Sequence, residues 1–557
     1  MKRLYLLLIS LLICTLLLAQ NRTDEQMKAI AVQKLHGAMA RGFGISTNID
    51  VKEMLSSDEY SIYGAEKGGF VVVSRNNDIK PVIGYSSSTF DADNIPCGMK
   101  WWLNEMENSL RTRRNLWNEI NSAGFTPTPS FITTKWGQDQ PYNNLTPIGT
   151  NNAHMPTGCM ATAMSQVMKY FRYPAQGQGT GYYKNASGIN KFVAISTVYE
   201  WDKMKDQYTK LEIKTMTDEQ KKPIASLMFE AGASSQMDYS SEGSGTFDDD
   251  AANGFVNNFQ YDSLALHNYS RVLHSNEEWM TMVYNELSNK RPILYCGYDE
   301  ESGGHAFVLD GIDSEGLVSV NWGWEGSSDG FYNIDYLAPN GSGYSFVNNH
   351  SMIIGFKTQA QPDADEKYMS YFGCNGTYAL RVLAANKLEV STIPSIYNFH
   401  YLTFYGTIGL FFMNNDNAKD NYEIAFFNTG DNSDVSSPLP ARYGFSSENF
   451  GKLIGNSIDL SELKPGSYTV FIGSKAVQET MPSHARCPGG MIEYTLTKAA
   501  NGALTLSEAK PVTGIKNIEV PTPQKYSNAW YTIDGQRLNG EPTQRGIYIH
   551  NGHKVLK

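Results

Sequence analysis

Cys159 and His305 are the two residues of this 557-residue chain whose types and spacing best suit nucleophilic chemistry. A free thiol has a pKa of roughly 8.5, and a helix N-terminus with a neighbouring imidazole can lower that pKa to about 3–4. A shift of this size favours the reactive thiolate by roughly 6–7 kcal/mol. The alternative for Cys159 is a buried small hydrophobe, the commonest fate of a free cysteine.

The residues after Gly158 predict the helix that must position this thiol. Apolar side chains recur at helical spacing from Met160 to Phe171, and Pro174 ends the run. Cys159 therefore lies in the first turn, where unpaired N–H groups and the helix dipole favour an anion.

Short strands are predicted in the part of the chain that carries His305. They cover residues 292–296, 305–309, 317–322 and 330–334, and Gly and Asp residues separate them. Short strands separated by such turn residues are typical of an antiparallel sheet. A helical half with the cysteine and a sheet half with the histidine would meet at a cleft, where active sites are common.

Three polar or aromatic residues are candidates to support the pair. Gln138 precedes Cys159 by about twenty residues, and its amide could complete an oxyanion hole with the Cys159 backbone N–H. Asn321 could orient the imidazole, and Trp322 could screen that hydrogen bond from water. The structural alternatives are a surface glutamine, a turn-capping asparagine and a core tryptophan.

Other chemistries have less support. His154 lies too near Cys159 in the chain to reach over the thiolate, which leaves His350 as the rival base. The chain has no H-E-x-x-H pattern, so neither a metal nor another cofactor is predicted. A G-x-S-x-G elbow is also lacking, which disfavours serine catalysis.

The net charge and the first residues of the chain indicate its cellular compartment and limit its possible partners. The formal net charge of −11 argues against nucleic-acid binding. Residues 1–19 combine a basic start, an apolar stretch and Ala19, which predicts a signal peptide cut after Ala19 and a secreted or cell-surface protein. A membrane anchor and a lipoprotein attached at Cys14 are the alternatives. The five later cysteines are odd in number and sparse, which does not indicate a disulfide framework.

The remaining chain divides into further predicted domains. Residues 20–125 form a separate unit with strands at 71–74 and 82–85 and a helix at 99–120. A Pro- and Thr-rich connection at 123–130 follows and is a predicted site of proteolytic maturation near 121–132. Residues 359–505 are predicted as a β-sandwich, with strands at 401–404, 422–427, 467–472 and 491–496. Residues 515–557 form a compact terminal β module.

The motifs around the candidate residues closely resemble those of the streptopain family, secreted bacterial cysteine peptidases of papain-like fold that are made as zymogens. The interval of 146 residues from Cys159 to His305 fits the roughly 130–150 of papain-like enzymes. The motifs that carry the resemblance are TGCMATA at 157–163, QVMKY at 166–170, GHAFVLDG at 304–311, VNWGW at 320–324 and SDGF at 328–331.

The resemblance implies roles for these residues and segments. Cys159 would be the nucleophile, His305 the general acid–base and Gln138 the oxyanion-hole residue. Family members are described as Cys/His dyads with a nearby tryptophan, so Asn321 and Trp322 would be supporting residues. Residues 20–125 would be the inhibitory propeptide. The C-terminal extension resembles that of interpain-like members from Bacteroidetes, and residues 515–557 resemble a type IX sorting domain that contacts outer-membrane secretion machinery.

We therefore predict a secreted cysteine endopeptidase that cleaves proteins and peptides through a thioester and is held latent by its own propeptide. An α+β papain-like catalytic domain at residues 126–358 follows an α+β propeptide and precedes all-β domains. Two alternatives come from other classes: a transglutaminase-like Cys/His acyltransferase, and a binding protein with a vestigial peptidase domain.

Overall fold

The computed structural model describes thirteen segments of the chain, in two compact units, Met1–Val512 and Thr513–Lys557. The predicted signal peptide at residues 1–19 lies outside the described residues. Within the described residues, no helix is long and apolar enough to cross a membrane. The described segments are 21–39, 50–65, 68–77, 79–112, 126–185, 187–299, 303–334, 350–358, 368–429, 438–512, 530–532, 547–550 and 553–556.

The first unit contains both helices and strands. The helices are α1 Asp24–Met39, α2 Cys97–Thr112, α3 Cys159–Phe171, α4 Lys210–Thr215, α5 Asp218–Ser234, α6 Asp248–Asn257, α7 Asn276–Ser288 and α8 Ser447–Ile454. The strands up to residue 354 are β1 Lys52–Ser56, β2 Tyr60–Gly64, β3 Phe70–Ser74, β4 Val82–Ser86, β5 Thr180–Lys184, β6 Asn190–Ala194, β7 His267–Ser270, β8 Ile293–Asp299, β9 Gly303–Ile312, β10 Val318–Asn321, β11 Gly330–Tyr332 and β12 Ser351–Ile354.

A ten-stranded antiparallel sheet organises the unit, in the order β1-β2-β3-β4-β11-β10-β9-β8-β12-β7. Its first four strands come from the predicted propeptide, and β4 pairs with β11 so that Tyr85 lies opposite Phe331. A side chain at Gly330 would lie 2.3 Å from the Tyr85 carbonyl oxygen, so this close pairing requires glycine there. The propeptide strands thus extend the sheet that carries His305.

The two faces of this sheet border different cores. Phe307 and Leu309 of β9 belong to a cluster that includes Trp101 and Trp102 of α2. Ala306 and Val308 belong to a second cluster, which includes the buried side of α3. Side chains alternate between faces along a strand, and the continuous β8–β9 register preserves that alternation.

Helix α3 confirms the predicted span from Cys159. It begins after Gly158, whose φ of 87° lies in the left-handed region, and a side chain at Gly158 would lie 2.8 Å from Met237 Cε. It ends at Phe171, and the backbone of the next residue, Arg172, has a left-handed conformation. The N-terminal cap has no side-chain hydrogen bond, so the first-turn N–H groups stay available around Cys159.

The propeptide helix differs from the prediction in its bounds. It covers Cys97–Thr112 instead of 99–120, and residues 113–125 lie outside the described residues. Trp101, Trp102 and Met106 are fully buried on its inner side. Its apolar side thus packs onto the sheet, as expected for an amphipathic surface helix.

The C-terminal part of the first unit, described at residues 368–429 and 438–512, is β-rich, with antiparallel sheets around one core. The predicted strand at 401–404 is wrong: Tyr401 lies in a loop, and its hydroxyl donates to the Leu266 carbonyl at 3.1 Å. The apolar run there therefore serves a contact with the peptidase region and not a sheet. The strands are β13 Phe372–Cys374, β14 Ala379–Ala384, β15 Lys387–Thr392, β16 Ile396–Asn398, β17 Gly406–Asn414, β18 Tyr422–Asn428, β19 Gly444–Phe445, β20 Ile458–Asp459, β21 Gly466–Ala476, β22 Ser483–His484, β23 Met491–Lys498, β24 Leu504–Leu506 and β25 Lys510–Val512.

The second unit, taken by itself, contains a three-stranded antiparallel sheet. Its strands are β26 Trp530–Thr532, β27 Ile547–His550 and β28 His553–Leu556. These three strands lie within residues 515–557, for which the sequence predicts a terminal β module. His550 and His553 are the last paired residues of the β27–β28 hairpin.

Candidate active site

The Cys159 sulfur lies against the backbone of β9, on both sides of His305 in the chain. The Ala306 N–H donates to Cys159 Sγ at 3.3 Å, and the Cys159 thiol faces the Gly304 carbonyl oxygen at 4.0 Å. Helix α3 and strand β9 therefore bring the two predicted catalytic residues into one site. Their side chains are arranged differently from a working pair.

His305 points to the opposite face of the sheet from Cys159. It pairs with Gly297 across the β8–β9 ladder, and paired residues direct their side chains to the same face. A side chain at Gly297 would lie 2.1 Å from Trp101 Cζ2, which identifies that face as the one covered by α2. Cys159 lies beside Ala306 on the other face, so the described structure is that of a latent form.

The surroundings of the Cys159 thiol favour its protonated form. Burial raises the pKa of Cys159 above its usual value, and the Ala306 N–H offsets part of this effect. The sequence predicted a lowered pKa, which requires the positive helix end together with a neighbouring imidazolium. In the described form the helix end is present, and the imidazole is on the other face of the sheet.

Two further cysteines lie near Cys159, and sequence reasoning missed both. Burial, together with the charge of a Cys159 thiolate, raises the pKa of the Cys97 thiol to about 12. Burial likewise raises the pKa of Cys296, which is affected by the charges of Asp248 and Cys159. Cys97 is the first residue of α2, so a propeptide thiol enters the site. Nothing in the local sequence around Cys97 signals this position.

Gln138 lies beside the segment that leads to the nucleophile. Its backbone carbonyl accepts a hydrogen bond from the Thr157 N–H at 3.0 Å, and the preceding Gly137 carbonyl accepts one from Thr162 Oγ1 at 3.3 Å. The residue is partly buried. These bonds fix the backbone of residues 137 and 138 against the start of α3.

Asn321 uses its amide in a buried pair with Gln166 of α3. Gln166 Nε2 donates to Asn321 Oδ1 at 3.1 Å, and Asn321 Nδ2 donates to Gln166 Oε1 at 3.2 Å and to the Thr134 carbonyl at 2.7 Å. The Gly323 N–H donates to the same Oδ1 at 3.0 Å. These bonds fill the capacity of the amide, so the predicted bond to the imidazole would require one of them to be given up.

Trp322 is almost fully buried at the end of β10. Its ring centroid lies 4.8 Å from that of Phe307, and Nε1 donates to the Ser328 carbonyl at 3.0 Å. A side chain at Gly98 of α2 would lie 2.9 Å from Trp322 Cε3. Trp322 therefore connects the face that carries His305 with the start of the propeptide helix.

The two other histidines considered from the sequence have different partners. His154 Nδ1 lies 2.6 Å from the Thr146 carbonyl, outside the contacts described for Cys159. His350 is on the α2 face, where its Nε2 lies 3.8 Å from Glu105 and its ring packs 4.9 Å from that of Trp101. His350 thus belongs to the contact between the propeptide helix and the sheet.

Asp329 closes the loop that follows Trp322. Its Oδ1 accepts the Trp322 N–H at 2.9 Å, and burial raises the pKa of Asp329 to about 7. The folded state therefore retains a proton that the unfolded chain releases near pH ~4. Because the folded state binds more protons between about pH 4 and 7, stability falls as pH rises through that window.

Replacing Asp329 by asparagine should remove this pH dependence. The introduced amide keeps an oxygen acceptor for the Trp322 N–H and has no proton to lose. We expect the free energy of unfolding of Asp329→Asn to exceed that of the wild type at pH 8 by about 1–3 kcal/mol. Denaturant titrations at pH 5, 6, 7 and 8 measure how the free energy of unfolding changes with pH in each protein. Equal slopes for the two proteins would show that Asp329 is ionised throughout.

Comparison with known proteins identifies the class. A model described as the Peptidase C10 family matches residues 136–332, and a model described as Spi protease inhibitor matches residues 17–110. The inhibitor match covers the first four strands and most of α2. The chain is thus a cysteine peptidase made as a zymogen with its own inhibitory segment.

The relatives define the family. Streptopain of Streptococcus pyogenes is 31% identical over 372 residues, which cover 61% of this chain and 92% of that protein. The chain belongs to the streptopain family of cysteine peptidases, peptidase family C10. A thiol protease/hemagglutinin of Porphyromonas gingivalis is 28% identical over 52% of this chain and 36% of its own length.

A solved structure supports the fold. A cysteine-to-alanine mutant fragment of Prevotella intermedia prointerpain A is 33% identical and has a TM-score of 0.50. The alignment covers 57% of this chain and all of that fragment. These matches confirm the predicted family and the α+β papain-like class with a β-rich C-terminal region, and they favour a peptidase over the two alternative classes.

Proposed function

We propose that Cys159 is the nucleophile and His305 the general acid–base of this peptidase. The observation that carries the proposal is the placement of the Cys159 thiol at the start of α3, in contact with the backbone on both sides of His305. Gln138 and the Cys159 N–H would bind the oxyanion of the tetrahedral intermediate.

In the mature enzyme, the Cys159 thiolate attacks the carbonyl carbon of the scissile peptide bond. The imidazolium of His305 protonates the leaving amine, which leaves a thioester on the sulfur. The neutral imidazole then removes a proton from water, and the resulting attack releases the acid and the thiolate. Every step requires the imidazole beside the sulfur, so His305 must leave the α2 face before catalysis begins.

In this proposal, activation is the removal of the propeptide, whose helix α2 covers the sheet face that carries His305. Trp101 fills the space beside Gly297, and Gly98 packs against Trp322, so α2 keeps the start of β9 in its latent arrangement. The residues proposed as propeptide are 20–125, and those proposed as the mature peptidase domain are 126–358. Cleavage near 121–132 would separate them.

Asn321 and Trp322 are proposed as positioning residues. The Asn321–Gln166 amide pair links β10 to α3 and so sets the distance between the sheet and the nucleophile helix. Trp322 covers Phe307 on the same strand as His305. Asn321 would reach the imidazole only after the amide pair rearranges on activation.

Replacing Gln138 by alanine should lower kcat and leave substrate binding nearly unchanged. Loss of one oxyanion donor costs roughly 10²–10³ in kcat, because that bond is strongest in the transition state. The measurement is steady-state hydrolysis of a fluorogenic peptide by matured protein, and Gln138→Glu is the isosteric companion that loses the donor. A rise in KM with unchanged kcat would assign Gln138 to ground-state binding.

Export completes the proposal. Residues 1–19 would act as a signal peptide, residues 359–505 as an accessory domain and residues 515–557 as a sorting module read by outer-membrane secretion machinery. The mature protein would act outside the cell or on its surface. Cell fractionation of the full chain and of a chain ending at residue 514 tests this, and equal export of both would remove the sorting role.

A peptide carrying an electrophilic epoxide tests the catalytic assignment directly. Matured wild-type protein should be alkylated at Cys159 in preference to Cys296, and His305→Ala should slow this labelling because the thiolate loses its partner. Mass spectrometry locates the adduct. Labelling at Cys296 alone, or labelling of Cys159 that is unaffected by His305→Ala, would contradict the assignment.

A further inference from the structure

Residues 483–490, called the clasp segment below, bind the accessory domain to the peptidase region. Arg486 extends from this segment: its Nε donates to the Leu273 carbonyl at 2.8 Å, and its Nη2 pairs with Glu278 at 2.7 Å. The two side chains are only 14% and 5% exposed. The Gly489 N–H donates to the Val272 carbonyl at 2.8 Å. The clasp segment therefore contacts the start of α7 through largely buried bonds.

The residue after Arg486 is a cysteine that faces a second cysteine across a strand pair. Gly373 and Arg486 form a parallel bridge, with the Arg486 N–H bonded to the Phe372 carbonyl and the Cys374 N–H bonded to the Arg486 carbonyl, both at 2.8 Å. The next residues in this register are Cys374 and Cys487. Neighbouring strands lie about 5 Å apart, within the Cα separation of about 4.4–6.8 Å that a disulfide requires.

The two thiols also share one environment and affect each other's pKa. The neighbouring Cys487 thiol and burial raise the pKa of Cys374, and the neighbouring Cys374 thiol lowers the pKa of Cys487. Both residues are almost fully buried in the core of the accessory domain, beside Tyr378. They are free thiols in the described structure. Their positions differ from those of Cys97, Cys159 and Cys296, which surround the active site.

We propose that Cys374 and Cys487 form a structural disulfide that fastens the clasp segment within the accessory domain. The bond would join residues roughly 110 positions apart in sequence, and long loops gain most from a cross-link. It would form while the accessory domain folds in an oxidising environment, before the sulfurs are buried, and burial would then protect it from reduction. The setting follows from the proposed export.

The chemistry requires an external disulfide, either a small molecule or a protein oxidant. The Cys487 thiolate attacks one sulfur of that oxidant and releases the other as a thiol, which leaves a mixed disulfide on Cys487. The Cys374 thiolate then attacks Cys487 Sγ, and the new S–S bond expels the second thiol. Two electrons pass to the oxidant, and the two protons from the cysteines end on its thiols.

Refolding in defined redox buffers tests the bond independently of export. The full chain carrying Cys159→Ala, which prevents self-digestion, is refolded with reduced or oxidised glutathione and alkylated after denaturation. We expect Cys97 and Cys296 to be alkylated in both samples, and a linked 374–487 peptide to appear in the oxidised sample only. Free alkylation of both clasp cysteines after oxidation would overturn the proposal, as would pairing of either with another cysteine.

Thermal unfolding measures what the bond contributes. The oxidised protein should unfold at a midpoint roughly 5–15 °C above that of the reduced protein. The matched control is the double variant Cys374→Ala/Cys487→Ala, whose midpoint should not respond to the redox buffer. If that variant does not fold, the single variant Cys487→Ser, in which Cys374 should be alkylated, replaces it. An equal midpoint for oxidised and reduced wild type would overturn the structural role.

Discussion

Replacing Cys159 by alanine should lower kcat/KM for peptide hydrolysis by roughly 10⁵-fold or more. The reason is that no other group can form the thioester, so the reaction loses its covalent route and keeps only the contribution of oxyanion binding. The measurement uses the domain after its propeptide has been removed by an added protease, because Cys159→Ala cannot mature itself in this proposal. Initial rates with a fluorogenic peptide give the ratio.

Cys296→Ala is the matched control for this loss. Cys296 is opposite Ala306 in the β8–β9 ladder, close enough for its charge to interact with that of Cys159. Because it has no role in bond cleavage, its removal should change kcat/KM by less than about tenfold. A large loss in both variants would mean that the neighbourhood, and not the Cys159 sulfur itself, determines activity.

Processing of the zymogen separates self-maturation from maturation by another protease. If Cys159 cleaves its own propeptide, purified wild-type protein should convert with time and Cys159→Ala should remain full-length. Electrophoresis of the two proteins under the same conditions gives the answer. Equal processing of both would assign maturation to a different enzyme.

Helix α3 could be predicted well because its signals are local. The apolar stripe, Gly158 and Pro174 lie within one stretch of sequence, and each acts through the backbone or through packing on one face. The observed span, Cys159–Phe171, agrees with that prediction. The position of Cys159 follows directly from where α3 begins. Residues close to it in the sequence determine that starting point.

The side of the sheet on which His305 lies could not be predicted in this way. It depends on the pairing of His305 with Gly297 and on Trp101, which fills the adjacent space from about 200 positions earlier in the chain. The local sequence pattern shows that β9 is a strand. It does not show which face of the sheet packs against α2 and which against α3. The latent arrangement is therefore a long-range property of propeptide docking.

The amide pair between Asn321 and Gln166 was missed for a related reason. Gln166 is fully buried in a helix whose other inner residues are mostly apolar. This polar residue on the buried side of α3 was the sequence signal for a buried hydrogen-bonded pair. A buried amide requires partners for its donors and acceptors. Identifying Asn321 as the partner requires the packing of β10 against α3, which the sequence pattern of either element alone does not contain.

Replacing Trp101 by alanine should weaken latency strongly while leaving the mature enzyme unchanged. Trp101 is fully buried, and its ring lies 5.9 Å from that of Phe307 and 4.9 Å from that of His350. Truncating a buried tryptophan costs about 3–5 kcal/mol. That loss falls on the contact between α2 and the sheet, so the open population of the zymogen should rise by roughly 10²–10³-fold.

The rate at which activity appears in dilute zymogen measures this effect. The exposed neighbour Lys100 supplies the control, because Lys100→Ala leaves the buried side of α2 intact and should mature at the wild-type rate. Trp101→Phe should fall between the two, and it keeps the test open if the alanine variant does not fold. After maturation all variants should share one kcat/KM, because residue 101 leaves with the propeptide. An unchanged maturation rate in Trp101→Ala would mean that latency depends on the β4–β11 strand pairing instead, since that is the other contact by which the propeptide extends the sheet.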